Sequence, residues 1–454
     1  MSHQTTFWFR RIAAIQSAAV IVAMCVSCAQ AFAQIFPPVG NAPGVYIDAD
    51  GTVKRRVIDD REELATMRSR IRAAQEAGKN ENITYVSLPR AFAAARIAID
   101  AGKPLPDEIQ TLGGLTQIKF IFLYPESRDL VIAGPSEPVQ IVDDLHAVGR
   151  KTGRPVLRLE DLVVAMRVVQ GVRHDAFGCR LDPDAAAPGR IRDTMRQMAR
   201  ASRAERVKAV AQATGPQKVS FFGKVPENSR FAWVMIAADY ELKRYGLGLA
   251  QSTLPDLGTI VDNTRAAVNM IWYELAYEPI LVSAEGDAYG LRGPRLKVLA
   301  GGFDWDTRGA TPKAFEFARK MSRDIDVLAV NQPLIADLQN LADLSILAAL
   351  IQRDKLDEKV GWDTSFLRRE AGEKEAAFPV ARVTVPKMAE ALSNYSNGSI
   401  AAGGVVLSTA KVLLAPTEPD AKRLMAPVKQ RGIQLRRESG EAAVLTRPDA
   451  RRGS

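Results

Sequence analysis

Histidine, cysteine and aromatic residues are scarce in this chain: 454 residues include three His, three Cys and only 7% Phe, Trp and Tyr. With so few histidines, a zinc centre would have to recruit carboxylates, and none is expected. There is no G-x-S-x-G elbow, no H-E-x-x-H pair and no Walker loop, so the usual signatures of serine hydrolases, zinc peptidases and P-loop NTPases are missing. Gly246-Leu247-Gly248 follows a helical pattern instead of a strand, which removes the dinucleotide fingerprint and leaves no cofactor to expect. Beyond the N-terminus no run reads as long and apolar enough to span a bilayer. The 47% hydrophobic and 25% charged content excludes a collagen-like fibre and a wholly disordered chain.

What is present starts with an export signal. Arg10 and Arg11 precede an apolar run, Ile12 to Val26, and then Ala31-Phe32-Ala33. That is the layout of a secretory signal peptide cut after Ala33, giving an exported protein, periplasmic or extracellular. A retained N-terminal anchor is the alternative. Cys25 and Cys28 lie inside the signal segment, so only Cys179 would remain after cleavage and no intramolecular disulfide could form. The formal charge is +9, falling to +7 without the two signal arginines. Such a balance invites a nucleic-acid reading. Export and the lack of a nucleic-acid-binding motif turn it towards acidic surfaces, and no nucleic-acid partner is expected.

Asp50-Gly51 between two short β-prone runs predicts a hairpin. Helices are expected over 61–77, from Ser87 to about Ala101, over 158–170, from Ser229 to about Tyr245, from Thr311 to about Arg323, and from Asn331 to about Arg353. Strands are expected around 117–124, 129–133, 218–222, 270–273, 280–283, 288–291 and 296–299. Asp182 to Gly189 resembles a linker, followed by one long basic helix over 191–213. The pattern weakens after Lys355. The expected class is α+β, antiparallel hairpins interspersed with helices, with a disordered basic tail from Thr417. The expected organisation is a signal at 1–33, an N-terminal module at 34–186, a central module at 187–361 and a weakly ordered region at 362–454.

An ordered series of short motifs carries a resemblance. It comprises Gly44-Val45 with Asp48-Ala49-Asp50-Gly51, then Ser87-Leu88-Pro89-Arg90, Gly113-Gly114-Leu115, Tyr124-Pro125-Glu126 and Gly134-Pro135. It continues through Gly153-Arg154-Pro155-Val156-Leu157, Leu159-Glu160-Asp161-Leu162, Gly178-Cys179 with Asp182-Pro183, and Ala237-Ala238-Asp239-Tyr240 with Lys243-Arg244. Over roughly residues 44–350 the chain resembles a family of exported planctomycete proteins catalogued only as a domain of unknown function. The resemblance implies export and a shared fold, and no activity.

Four groups of residues could carry chemistry. His174 lies five residues before Cys179, and Arg180 follows it; a Cys–His pair could form a thiolate nucleophile, whereas a buried inert thiol is the bland alternative. Asp239 sits in an apolar helix with Tyr240 beside it and Lys243 one turn on, either lining a pocket or closing an internal ion pair. Trp305-Asp306-Thr307 and Trp362-Asp363-Thr364, with Trp272 and Tyr273, fit a carbohydrate site or are separate core aromatics. Arg192, Arg196, Arg200 and Arg203 fall at spacings that share one helix face, suited to an anionic polymer or a membrane surface, or merely solvated. No complete catalytic constellation emerges. The leading expectation is a non-catalytic binding or interaction protein of the cell envelope. It would act through Asp239, Lys243 and the arginine stripe on another envelope protein or an anionic polymer. The alternatives are an envelope hydrolase, using Cys179 with His174 or carboxylates near Asp239, and a peripheral binder of anionic polymer or membrane.

Overall fold

The computed structural model describes residues 83–170 and 176–413 apart from 255, 262–267, 284, 304–309, 370–377, 390–392 and 395–398, together with Val45–Ile47, Thr52–Arg55 and Leu445–Thr446. The signal sequence, the helix expected over 61–77, His174, Trp305-Asp306-Thr307 and the basic tail apart from Leu445–Thr446 lie outside the described residues.

Local capping sets the main helices. Ser87 Oγ accepts from Arg90 N at 3.4 Å, Ser229 Oγ from Ala232 N at 3.2 Å and Thr311 Oγ1 from Ala314 N at 3.2 Å. Each satisfies a backbone donor that the first helical turn leaves unpaired. The helices Leu88–Asp100, Arg230–Gly246 and Pro312–Arg323 follow, as the sequence predicts. Phe120–Tyr124 and Asp129–Pro135 pair as the expected antiparallel hairpin, turning through Arg128 at φ 50°. Val45–Ile47 and Thr52–Arg55 form the hairpin expected around Asp50-Gly51.

The class is α+β. Among the described residues a ten-stranded mixed sheet runs in the order Val45–Ile47, Thr52–Arg55, Met388–Ala389, Gln217–Phe222, Phe177–Pro183, Gly404–Leu407, Val268–Ala276, Ser399–Ala402 and Ser393–Asn394, with Arg295–Phe303 also on Val268–Ala276. A six-stranded antiparallel sheet runs Leu281–Val282, Ala288–Gly290, Phe120–Tyr124, Asp129–Pro135, Ile83–Ser87 and Leu445–Thr446. The large sheet takes strands from both sides of the expected boundaries at 186/187 and 361/362, and one hydrophobic core runs from Val86 to Val412. Arg295–Phe303 pairs with Val268–Ala276, and Ser322 serves its backbone. Ser322 Oγ accepts from Val298 N at 2.8 Å and contacts Val298 O at 3.0 Å, so the helix Pro312–Arg323 satisfies backbone groups that strand pairing leaves over.

Three expectations need correction. The first concerns 182–189, which is no linker. The strand Phe177–Pro183 runs into it, and the helix Ala187–Gln197 starts within it, with Ala186 N donating to Asp184 Oδ1 at 2.8 Å and Pro188 in the first turn. Asp and Pro here are helix-start chemistry. The second is the single basic helix, which is two: Ala187–Gln197 and Arg203–Thr214. Ser202 and Glu205 form a reciprocal capping box, with Glu205 N donating to Ser202 Oγ at 3.3 Å and Ser202 N to Glu205 Oε2 at 2.9 Å. That box starts a new helix, so the four arginines do not lie on one helix. The third is the apolar run. The helix Pro333–Asp354 is long and apolar enough to cross a membrane by composition, yet Leu334 to Ile351 is buried throughout the fold.

The region after 361 also contributes more than expected. Ser399–Ala402 and Gly404–Leu407 run parallel to Val268–Ala276, and Gly404–Leu407 pairs antiparallel with Phe177–Pro183. The close backbone approach there demands glycine: a Cβ on Gly178 would stand 1.8 Å from Val405 O, and one on Gly404 1.9 Å from Cys179 O. Gly178→Ala should therefore cost about 3 kcal/mol through forced strand separation, read as a fall in the urea midpoint. An unchanged midpoint would show that these strands do not meet here.

Candidate functional site

The helix Arg230–Gly246 is buried along its whole length. It lies on the centre of the large sheet, so any polar side chain it carries must find a partner inside the protein. Lys243 does so completely. Its Nζ donates to Asp239 Oδ2 at 2.7 Å, to Leu181 O at 2.6 Å and to Gly403 O at 3.2 Å. Three donors meet three acceptors. Gly403 offers its carbonyl by adopting φ 124°, where a Cβ would stand 2.1 Å from Ile271 O, and its own N–H donates to Asp182 Oδ1 at 3.0 Å. Asp239 and Lys243 are both 0% exposed. Asp239 Oδ1 and the Tyr273 hydroxyl have no hydrogen-bond partner among the described residues. Burial pushes the Asp239 carboxyl up to about 6, against the pull of Lys243.

Cys179 belongs to the same neighbourhood. It is wholly buried, and burial, reinforced by the Asp239 charge, drives its thiol well above the ordinary range. Thus Cys179, Asp239, Lys243 and Tyr273 converge, but on a sealed polar pocket of the core and not on a cleft. The thiolate that a Cys179–His174 mechanism requires is disfavoured there, and His174 lies outside the described residues. Asp239 and Lys243 cannot touch a partner from this position, which corrects the expectation that they form a binding surface. Tyr240 is buried beside them. Among the described residues no three His, Cys, Asp or Glu side chains gather to hold a metal.

A second buried charge centre was not among the sequence expectations. Arg230 bridges Asp161 and Asp337 with one guanidinium nitrogen each, and its Nε donates to Leu145 O at 2.6 Å. Burial pushes Asp161 up to about 7 despite Arg230. A third centre lies further along the long helix, where Asp343 accepts from Tyr277 Oη at 2.6 Å and from Ile118 N at 3.0 Å. The readable clue was the presence of Asp337 and Asp343 inside an otherwise apolar helix; their partners are far off in sequence.

The aromatic grouping does not form as expected. Tyr273 is in the core, Trp272 lies against Gly301 on the sheet, and Trp362 packs near Phe92 with ring centroids 5.8 Å apart. Arg192, Arg196 and Arg200, in contrast, stand outside. The helices 187–197 and 203–214 form a hairpin inserted between two directly paired strands, with its own small core of Ala187, Ile191 and Val210. Arg190 clamps it, donating to Asp184 Oδ2 at 2.6 Å and to Ala213 O at 2.9 Å. Arg192, Arg196 and Arg200 are exposed, with Asp193 3.7 Å from Arg196. Arg203 opens the second helix.

Residues 179–257 match the family model described as "Protein of unknown function (DUF1598)". This bears out the resemblance over part of the stretch that carried it: the strand from Cys179, the helical hairpin, its partner strand and the buried helix. No curated protein matches the chain, and no solved structure matches it.

Two outcomes follow from the buried pair. Lys243→Met should destabilise by ~3–5 kcal/mol at pH 8, because it strands the Asp239 carboxyl. In the wild type, the raised Asp239 pKa means folding takes up a proton between about 4 and 6, so this group makes stability fall as pH rises through that window and adds no slope above it. Without Lys243 the window extends upward, so the deficit of the variant should shrink as pH is lowered from 8 to 6, measured by urea unfolding at each pH. In the folded protein Cys179 should resist a thiol reagent from pH 7 to 9 and react once unfolded. Fast labelling of the native state would contradict a sealed thiol.

Proposed function

We propose that this chain is an exported, non-catalytic binding protein that holds an anionic polymer of the cell envelope on the basic helical hairpin 187–214. The observation that carries the reading is a division of charge. Asp239 and Lys243 pair with each other in the core, whereas Arg192, Arg196 and Arg200 are exposed on the helical hairpin. Export is supported by Arg10-Arg11, the apolar run to Val26 and the Ala31-Phe32-Ala33 site.

The hairpin suits a polymer better than a bilayer. Its exposed residues, including Asp193, Gln197, Ser202 and Lys208 beside the arginines, contain no large apolar side chain among those described. Interfacial helices add an apolar wedge to their basic face. Attraction between exposed charges and a polyanion is long-ranged at low salt and screened beyond ~10 Å at 0.1 M.

The chain from Gln34 onward should be retained on immobilised heparin at low ionic strength and elute as salt is raised. The triple variant Arg192→Glu, Arg196→Glu, Arg200→Glu should elute at markedly lower salt with an unchanged far-UV spectrum. Equal retention of the variant would reject the hairpin as the binding surface. Preferential capture by anionic vesicles would transfer the reading to a membrane.

A further inference from the structure

A second surface carries a different chemistry. An open cleft of about 470 Å³ lies between the end of the helix Leu159–Gln170 and the turn that joins Leu356–Val360 to Ser365–Arg368. That volume falls within the ~300–1,000 Å³ of small-molecule sites. The turn is built rigidly. Gly361, at φ 64°, ends the first short helix, and Trp362 N donates to Asp357 O at 2.9 Å. Asp357 is 6% exposed, and its Oδ2 accepts from Thr364 Oγ1 and from Arg368 Nη2, each at 2.5 Å. These bonds fix the loop that presents Trp362 and Asp363. Phe92 packs against the Trp362 indole with ring centroids 5.8 Å apart and against Phe378 at 5.3 Å.

The charges of the cleft cancel locally. Asp357 is matched by Arg368, and Glu358 lies 3.1 Å from Lys355. Asp363 feels both Arg369 and Arg368, and its Oδ1 is held by Ser365 N at 2.9 Å. An anionic ligand would meet Asp363 and Glu358, and a cationic one would meet Arg368 and Arg369. A neutral polyol meets no like charge. Its hydroxyls both donate and accept, matching the carboxylate acceptors and the donors of Gln170, Ser365 and the two arginines that line the cleft. Trp362 adds an aromatic surface of the kind that packs against the C–H face of a sugar ring.

We propose that this cleft is a subsite for a neutral saccharide unit, with Trp362 as its platform and Asp363 as a hydroxyl acceptor. It is separate from the basic hairpin and does not depend on what the hairpin binds.

The test is isothermal titration of the chain from Gln34 onward with maltose, cellobiose and N,N′-diacetylchitobiose, each to ~20 mM, a range that registers millimolar dissociation constants. At least one should bind saturably, with a change in tryptophan emission. Asp363→Ala, at an exposed position, should weaken that sugar at least tenfold, and Trp362→Ala should abolish it. The Arg192, Arg196, Arg200 reversal should leave it unchanged. If Trp362→Ala fails to fold, Asp363→Ala and Arg369→Gln decide the matter alone. No saturable binding of any of the three sugars would overturn the proposal. So would equal affinity in Asp363→Ala, or stronger binding of glucuronate or glucosamine than of the neutral sugars.

Discussion

The ammonium of Lys243 is the point on which the centre of this protein is assembled. A buried charge must be matched on every donor, and here the three acceptors come from three parts of the chain: Asp239 on the same helix, Leu181 on the strand Phe177–Pro183, and Gly403 at the junction of two late strands. The helix cannot rotate, and neither strand can slip by a residue, without leaving an N–H or a carbonyl unpaired in the core. Such a contact specifies position more than it adds net stability, because desolvation offsets much of the attraction. Among the described residues, Asp239 Oδ1 and the Tyr273 hydroxyl find no hydrogen-bond partner beside this pair.

The same logic recurs along the long helix Pro333–Asp354. Asp337 receives Arg230 from the central helix, and Asp343 receives Tyr277 and the backbone of Ile118. Spaced six apart, the two carboxylates point to different sides of the helix and tie it to different neighbours. Apolar packing brings these elements together without fixing their angle or register. The polar contacts supply that information at intervals. This is why a segment apolar enough for a membrane is instead enclosed by the fold from Leu334 to Ile351.

Features with short-range causes were legible in the sequence. Ser87, Ser229 and Thr311 announced their helices because a cap acts over three residues, and the 120–135 hairpin followed from its turn. The Asp239–Lys243 pair was readable from i,i+4 spacing. Its other acceptors were not, since backbone carbonyls carry no sequence signature. Arg230 was silent because Asp161 lies 69 positions away and Asp337 107. The arginine spacing suggested one face, yet Ser202 and Glu205 held the opposing signal, and the cap prevailed over the periodicity. Gly404–Leu407 lacked the alternation of a half-buried strand because consecutive residues, which face opposite sides of the sheet, are both buried.

The place of that last strand sets an order of events. Gly404–Leu407 stands between Phe177–Pro183 and Val268–Ala276, both synthesised long before it. Until residue 407 has emerged, these two strands have open edges facing each other and Lys243 lacks one of its carbonyls. The large sheet therefore stays divided until that strand exists. Its closing step is a long-range insertion of the kind that makes folding slow. A chain built this way leaves two strand edges open to other partners for as long as the final strand is missing.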